Sequence, residues 1–221
     1  MEDQIYRLFR SKRKMIALII ERDGTLTVRA PLRVSRAQIE SFVREKTDWI
    51  NHTLLKMKAA GISPKQYVDG EKFLFLGSSF DLELVGPQRP ALKFEDSFRL
   101  SKTSQKRGEQ VFTRWYKGRA FEIISERAAK FSAQYDFSPK QVKITSARTR
   151  WGSCSPNGTL NFTWRLVMAP PDVIDYIVIH ELAHLRVKNH SQEFWKVVES
   201  ILPGYKLQRK WLRDNGEKLS L

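Results

Sequence analysis

Hydrophobic and polar positions divide the chain into runs of differing period. Residues 15 to 30, MIALIIERDGTLTVRA, hold two β-prone runs around Asp23-Gly24, whose residues tolerate the positive φ of a tight turn, so a β-hairpin is predicted there. The period then lengthens. Ile39, Phe42, Val43, Ile50 and Leu54 recur at helical spacing until Gly61, and Ser35 with Gln38 makes a Ser-x-x-Gln capping box. One long helix is expected over most of 36 to 60. The run YVDGEKFLFLGSSFDLELV is β-rich, with Asp69-Gly70 and Gly77-Ser78 as punctuation, and ALKFEDSFRL adds one further strand. Residues 101 to 108, SKTSQKRG, are polar and aperiodic and mark a boundary. The expected organisation is α+β, with an antiparallel β-rich module carrying one long helix at 1–104 and a second domain at 105–221.

Beyond the boundary, Phe112, Trp115, Tyr116, Ala120, Ile123, Ile124, Ala128 and Phe131 form a helical stripe ended by Ser138-Pro139. QVKITSAR reads as a strand. Residues 159 to 168 alternate, with Leu160, Phe162, Trp164, Leu166 and Met168 on one side and Thr159, Asn161, Thr163 and Arg165 on the other. That pattern predicts a half-buried strand with one polar face. Pro170-Pro171 breaks it and suits the first turn of a helix, whose apolar stripe is Val173, Ile174, Ile177 and Val178.

This last helix runs into His180-Glu181-Leu182-Ala183-His184. In a helix four residues rotate 400°, so the two imidazoles lie about 40° apart on one face and can meet one ion. Zinc accepts such nitrogen ligands, and a catalytic zinc uses three protein ligands, leaving one position for water. His190 is the natural third ligand if the helix ends near Val187 to Asn189 and the chain turns back, with Asn189 the candidate for a left-handed residue. Glu193 and Glu199 are weaker substitutes. Glu181 sits about 100° around from His180, where a carboxylate can act as general base towards a metal-activated water. Three of the chain's four histidines fall within eleven residues, which argues against scattered surface positions. The fourth, His52, reads as a polar surface residue of the 36 to 60 helix.

Charge widens the choice of substrate. The 221 residues carry a net charge of +15, and residues 101 to 150 hold twelve basic against four acidic side chains. Lys102, Lys106, Arg107, Arg114, Lys117 and Arg119 could track phosphates and make nonspecific nucleic-acid contact, although the neighbouring Trp115 and Tyr116 sit on the apolar stripe and read as core. Arg148 and Arg150 would share a face of a regular strand, where guanidinium groups could grip carboxylate or phosphate oxygens. With Arg186 and Lys188 they are the candidate substrate-binding residues. The lone Cys154 permits no internal disulfide and reads as a small packing residue, outside the site. The N-terminus lacks a signal-peptide core and no stretch is long and apolar enough to span a membrane, so a cytoplasmic location with no membrane partner is expected.

The run TRWGSCS at 149 to 155, then LNF, then VIDYIVIHELAHLRVKNHSQEFW through Trp195, closely resembles the YgjP-like metallohydrolases, which are related to SprT-like zinc peptidases. The resemblance is specific over about 145 to 215. It implies a zincin-type helix with His180 and His184 as ligands, Glu181 as catalytic acid/base and His190 as third ligand. It also implies two chemistries, peptide hydrolysis and a nucleoside triphosphate pyrophosphatase activity with UTP as substrate. Three readings follow: a metallopeptidase holding one zinc ion and acting on peptide or protein, a nucleotide pyrophosphatase that could add Mg2+, and a nucleic-acid-binding module with a structural zinc. The motif makes the peptidase the leading expectation and the excess of positive charge favours the pyrophosphatase, while the third reading is the weakest, since a structural zinc would need a fourth protein ligand.

Overall fold

The computed structural model describes residues 6–21, 24–59 and 64–221. These fall into two compact units that divide at Pro64 and Lys65. The expected boundary at 104/105 therefore lies inside the second unit. The polar run that prompted it is a 3-10 turn, Lys102–Arg107, leading directly into a long helix, so its polarity marks a solvent-facing turn and not a linker.

In the first unit, β1 (Tyr6–Ser11), β2 (Ala17–Ile20) and β3 (Leu26–Pro31) form a sheet ordered β1-β3-β2. The predicted hairpin is the antiparallel β2–β3 pair; Gly24 takes φ 78° in the turn, and Asp23 lies outside the described residues. β1 runs parallel to β3, so this module is mixed and not antiparallel as its turn signals implied. Pairing partners for β1 depend on chain reversal further along, which local turn chemistry does not record. Helix α1 (Arg36–Glu45) begins with the predicted capping box: Gln38 N–H donates to Ser35 Oγ at 3.2 Å and Ser35 N–H donates to Gln38 Oε1 at 2.9 Å. The expected single helix is broken at Lys46, and α2 (Thr47–Ala59) follows. The Thr47 hydroxyl donates to the Arg44 carbonyl at 2.8 Å, an alternative to helix continuation that short hydroxylated side chains offer. His52 is exposed on α2. Tyr6, Leu26, Val28, Ala30 and Ile39 are the core of this unit.

The second unit carries two sheets. β4 (Lys72–Phe75), β5 (Ser78–Val85), β6 (Leu92–Phe94) and β7 (Phe98–Ser101) are ordered β4-β5-β7-β6, with β5 and β7 parallel and the outer pairs antiparallel. ALKFEDSFRL thus holds two strands, where one was expected. The β4–β5 turn places Leu76 and Gly77 at φ 48° and 83°, the two-residue geometry that fits strand twist, and their N–H groups donate to Val167 and Met168 carbonyls. Helix α3 (Gly108–Tyr135) spans roughly 42 Å at 1.5 Å per residue, and its Phe112, Tyr116, Ala120, Ile124 and Ala128 form a fully buried i, i+4 ridge. It ends at Asp136, left-handed at φ 52°, ahead of the Ser138-Pro139 signal. Trp115 and Tyr116 belong to this core: Trp115 packs on Phe75, Phe94 and Phe98, and the Tyr116 hydroxyl donates to the Leu74 carbonyl at 2.6 Å.

The second sheet consists of β8 (Gln141–Thr145), β9 (Gly152–Cys154) and β10 (Thr159–Thr163), ordered β8-β10-β9. The ten-residue strand expected at 159 to 168 stops at Thr163, and Trp164–Met168 is a 3-10 turn in which Trp164, Leu166, Val167 and Met168 are all buried. Its polar face is largely covered too, with Thr159 and Thr163 buried. Helices α4 (Pro171–Ala183), α5 (Gln192–Ile201) and α6 (Lys206–Asn215) complete the unit, and α4 packs against β9, α5, α6 and α3.

Candidate metal centre

Helix α4 is apolar on nearly every side: Val173, Ile174, Tyr176, Ile177, Val178, Ile179, Leu182 and Ala183 are buried. A helix so enclosed presents polar groups only where the protein leaves a site for them. His180 and Glu181 occupy its last turn, and His184 is its C-cap residue, earlier than the expected end near Val187 to Asn189. The chain continues through turn hydrogen bonds, Leu185 to Leu182, and Arg186 and Val187 to Ala183, which carry it back over the helix end. Asn189 is not left-handed; its Oδ1 accepts from Ser191 N–H at 3.2 Å and so shapes the turn through its side chain.

That turn brings His190 to the other two. His190 Nε2 lies 3.0 Å from His180 Nε2 and 3.1 Å from His184 Nε2, and the three form a cluster of possible ligand atoms within 4.8 Å of one another. His184 Nδ1–H donates to the Val187 carbonyl at 3.0 Å, which leaves the Nε2 lone pair pointing into the cluster. Imidazole lone pairs so close repel unless a cation or proton sits between them. Ligand nitrogens around a tetrahedral zinc are about 3.3 Å apart, given bonds of about 2.0–2.1 Å, so the set fits that ion. Burial, then the neighbouring His184 and His190, push His180 down to about 3, and burial also lowers His184; both are neutral and able to ligate. Oxygen-seeking Mg2+ is not suited by three nitrogens. Phe194 of α5 stacks on His184 with centroids 4.5 Å apart and meets His180 and His190 edge-on, fixing the rings from below.

Glu181 is 5% exposed. Burial drives its carboxyl up to about 7, opposed by the Cys154 backbone N–H and by the Arg150 guanidinium. Its Oε2 is buried without a hydrogen-bond partner. The group is held against β9 closely: a Cβ built on Gly152 would lie 2.5 Å from Glu181 Oε1. Sequence reasoning missed this contribution of Gly152 and the Cys154 main chain. Backbone donors leave no residue-type signature, and the only hint was a small residue amid TRWGSCS. The Cys154 side chain is half-buried and its thiol is raised by burial, in keeping with a packing residue.

The candidate substrate residues separate. Arg150 is exposed, faces Glu181 and lines a small pocket with Thr145, Ser153, Asn161 and Thr163. Arg148 and Arg150 lie between β8 and β9 and not on a regular strand. Lys188, exposed in the loop between two of the histidines, faces His184. The Arg186 guanidinium donates to the Tyr135 and Asp136 carbonyls and lies 4.2 Å over the Phe137 ring, so it caps α3 and ties the loop after α4 to it. Glu193 and Glu199 are exposed on α5.

Two of the solved structures that align with part of the chain are metallopeptidase zymogens. The metallopeptidase zymogen abylysin of Pyrococcus abyssi aligns at 23% identity over 42% of this chain and 93% of its own, with a TM-score of 0.38. The zymogen jannalysin of Methanocaldococcus jannaschii aligns at 20% identity over 45% and 96%, with a TM-score of 0.35. Similarity at that level carries no functional argument. No curated protein matches the chain. No helix among the described residues is long and apolar enough to cross a membrane. A family model described as the YgjP-like metallopeptidase domain matches residues 14–215, nearly the whole chain and both of its units. The chain therefore belongs to the YgjP-like metallopeptidase family, a family of zinc hydrolases.

Proposed function

We propose that this chain is a zinc-dependent peptidase in which His180, His184 and His190 hold one zinc ion and Glu181 is the general base. The observation that carries the reading is the convergence of three imidazole Nε2 atoms beside a buried carboxylate with an unpartnered oxygen. The triad has no fourth protein ligand among the described residues, which suits a catalytic and not a structural site. When bound, zinc would polarise the substrate carbonyl and bring the pKa of water to about 7.

The chain's own groups do the rest. Glu181 takes the proton of the attacking water as its oxygen bonds to the carbonyl carbon, and the C=O π pair moves onto oxygen. Glu181 then returns that proton to the amide nitrogen as the C–N bond breaks and the oxyanion's pair re-forms the C=O bond, giving a carboxylic acid and an amine. The Cys154 N–H and the close approach of Gly152 hold the carboxylate in one orientation. Substrate alignment falls to β9. β10 lies between β8 and β9, so it has no free edge to offer. Trp151 and Ser155 bond back to β10, which turns the N–H and C=O of Gly152 outward at the open edge beside Glu181, where an extended peptide could pair.

A pyrophosphatase would need several convergent cations, and Arg186 is committed to α3. The test is a matched assay of wild type and Glu181→Gln on unfolded proteins, peptides and nucleoside triphosphates. Peptide cleavage by wild type alone is expected; turnover of nucleotides alone, with pyrophosphate released, would replace the reading.

A further inference from the structure

The sheet β8-β10-β9 has a second face, turned away from the base. Side chains alternate along a strand and opposed residues share a face, so Phe162 and its partner Gly152 belong to the core side, where a Cβ on Gly152 would point at Glu181. Asn161 and Thr163 of β10, with their partners Ser153 of β9 and Thr145 of β8, belong to the other side. These four line a pocket of about 180 Å³, together with Arg150 and the backbone of Gly152. Pockets for whole small ligands hold roughly 300–1,000 Å³, so this one is sized for a single side chain. Gly152 borders both, and the base and the pocket stand on opposite faces of the same strand.

Most polar groups of the pocket are already engaged. The Thr163 hydroxyl donates to the Ala147 carbonyl at 2.8 Å and the Thr145 hydroxyl to the Phe162 carbonyl at 3.3 Å. Asn161 Nδ2 donates to the Ser153 and Thr159 carbonyls at 3.3 and 3.5 Å, which leaves its Oδ1 as an acceptor. Two donors remain, the Ser153 hydroxyl and the Arg150 guanidinium, neither of which has a hydrogen-bond or salt-bridge partner among the described residues. Arg150 is the one charged side chain in the lining, and no carboxylate opposes it there. A carboxylate can accept from both donors, whereas a cationic side chain would meet an uncompensated guanidinium. An extended peptide paired with the outward N–H and C=O of Gly152 turns the side chain opposite Gly152 towards the Glu181 face. The side chains on either side of it turn to the face that holds the pocket.

We propose that this pocket is a specificity subsite for an aspartate or glutamate side chain of the substrate, held by the Arg150 guanidinium and the Ser153 hydroxyl. The inference rests on the peptidase reading. Full-length, zinc-loaded wild type is given an unbiased peptide mixture and the cut bonds are read by mass spectrometry; acidic residues are expected to be enriched at one position within two residues of the cut. Peptides carrying Glu, Gln or Lys at that position are then compared by kcat/KM. Glu is expected to exceed Gln by about 30-fold, the worth of a charge-assisted pair, with Lys lowest. Arg150→Ala should bring the Glu-to-Gln ratio within about threefold of one, Ser153→Ala should lower it less, and Arg150→Glu should favour Lys. The ratio separates selection from an indirect effect: Arg150 also acts on Glu181, and a change in the base slows all three peptides alike. Cleavage without an acidic preference, a preference for Gln over Glu, or a wild-type ratio in Arg150→Ala would overturn the subsite and leave the peptidase reading standing. Failure of wild type to cleave any peptide would overturn the peptidase reading and this inference together.

Discussion

A methyl group at Gly152 would lie 2.5 Å from Glu181 Oε1 and 2.6 Å from Glu181 Cγ, so one carbon can displace the candidate base without touching a ligand. Gly152→Ala is expected to keep one zinc per chain and lose at least about tenfold in kcat, since a displacement of about 1 Å is costly in a catalytic group. Metal analysis beside steady-state kinetics checks it, and wild-type turnover would show that the carboxylate has room to move. The ligands predict the complementary outcome. Combined His180→Ala and His184→Ala substitution should abolish zinc retention, whereas Glu181→Gln should retain zinc and lose hydrolysis by about 100-fold or more. The positions of His180, Glu181 and His184 were legible in the sequence because i, i+4 geometry is local to a helix. His190 was legible as a residue type, but the device that returns it was not: the turn rests on bonds back to Leu182 and Ala183 and on the Asn189 side chain, not on a left-handed residue.

Elements hold these residues in place through docking that spacing does not reveal. The β4–β5 turn rests on the segment that precedes α4, with Leu76 and Gly77 N–H groups donating to Val167 and Met168 carbonyls. Gly77 has φ 83°, and a Cβ there would meet Pro170 Cα at 2.9 Å. Gly77→Ala therefore combines left-handed strain with a backbone clash and is expected to destabilise the second unit by about 1–3 kcal/mol. A denaturant titration measures this as a lower midpoint at unchanged slope. The alternation at 159 to 168 was real for Leu160 and Phe162 but continued by accident through Trp164 to Met168, where a 3-10 turn buries successive residues. Period alone cannot distinguish a covered turn from a strand.

At the scale of the whole molecule, two cores divide the chain at 64/65. All residues of the candidate centre lie in 65–221, so a fragment of those residues should melt cooperatively and bind one zinc. Circular dichroism with metal analysis tests it; an unfolded fragment would show that the first unit is required for folding. The net charge of +15 predicts polyanion binding through the 101 to 150 stretch that weakens steeply with salt, because counterions are released on contact. Affinity unchanged between low and moderate salt would refute it. Trp115 and Tyr116 are engaged in the core, so such binding should show no base-stacking contribution from them.

By itself the sequence determined what depends on near neighbours: the capping box at Ser35, the β2–β3 turn, the ridge of α3, and two imidazoles and a carboxylate on one helix. Tertiary structure alone decided what depends on distant ones. It paired β1 with β3, made β9 and not β10 the open edge, committed Arg186 to α3, set Gly152 against Glu181 and drew Arg150 and Ser153 to one pocket. The physical reason is that helix phase and turn conformation follow from a few consecutive dihedral angles, whereas strand order and convergence of side chains are settled by which surfaces the folded chain brings together.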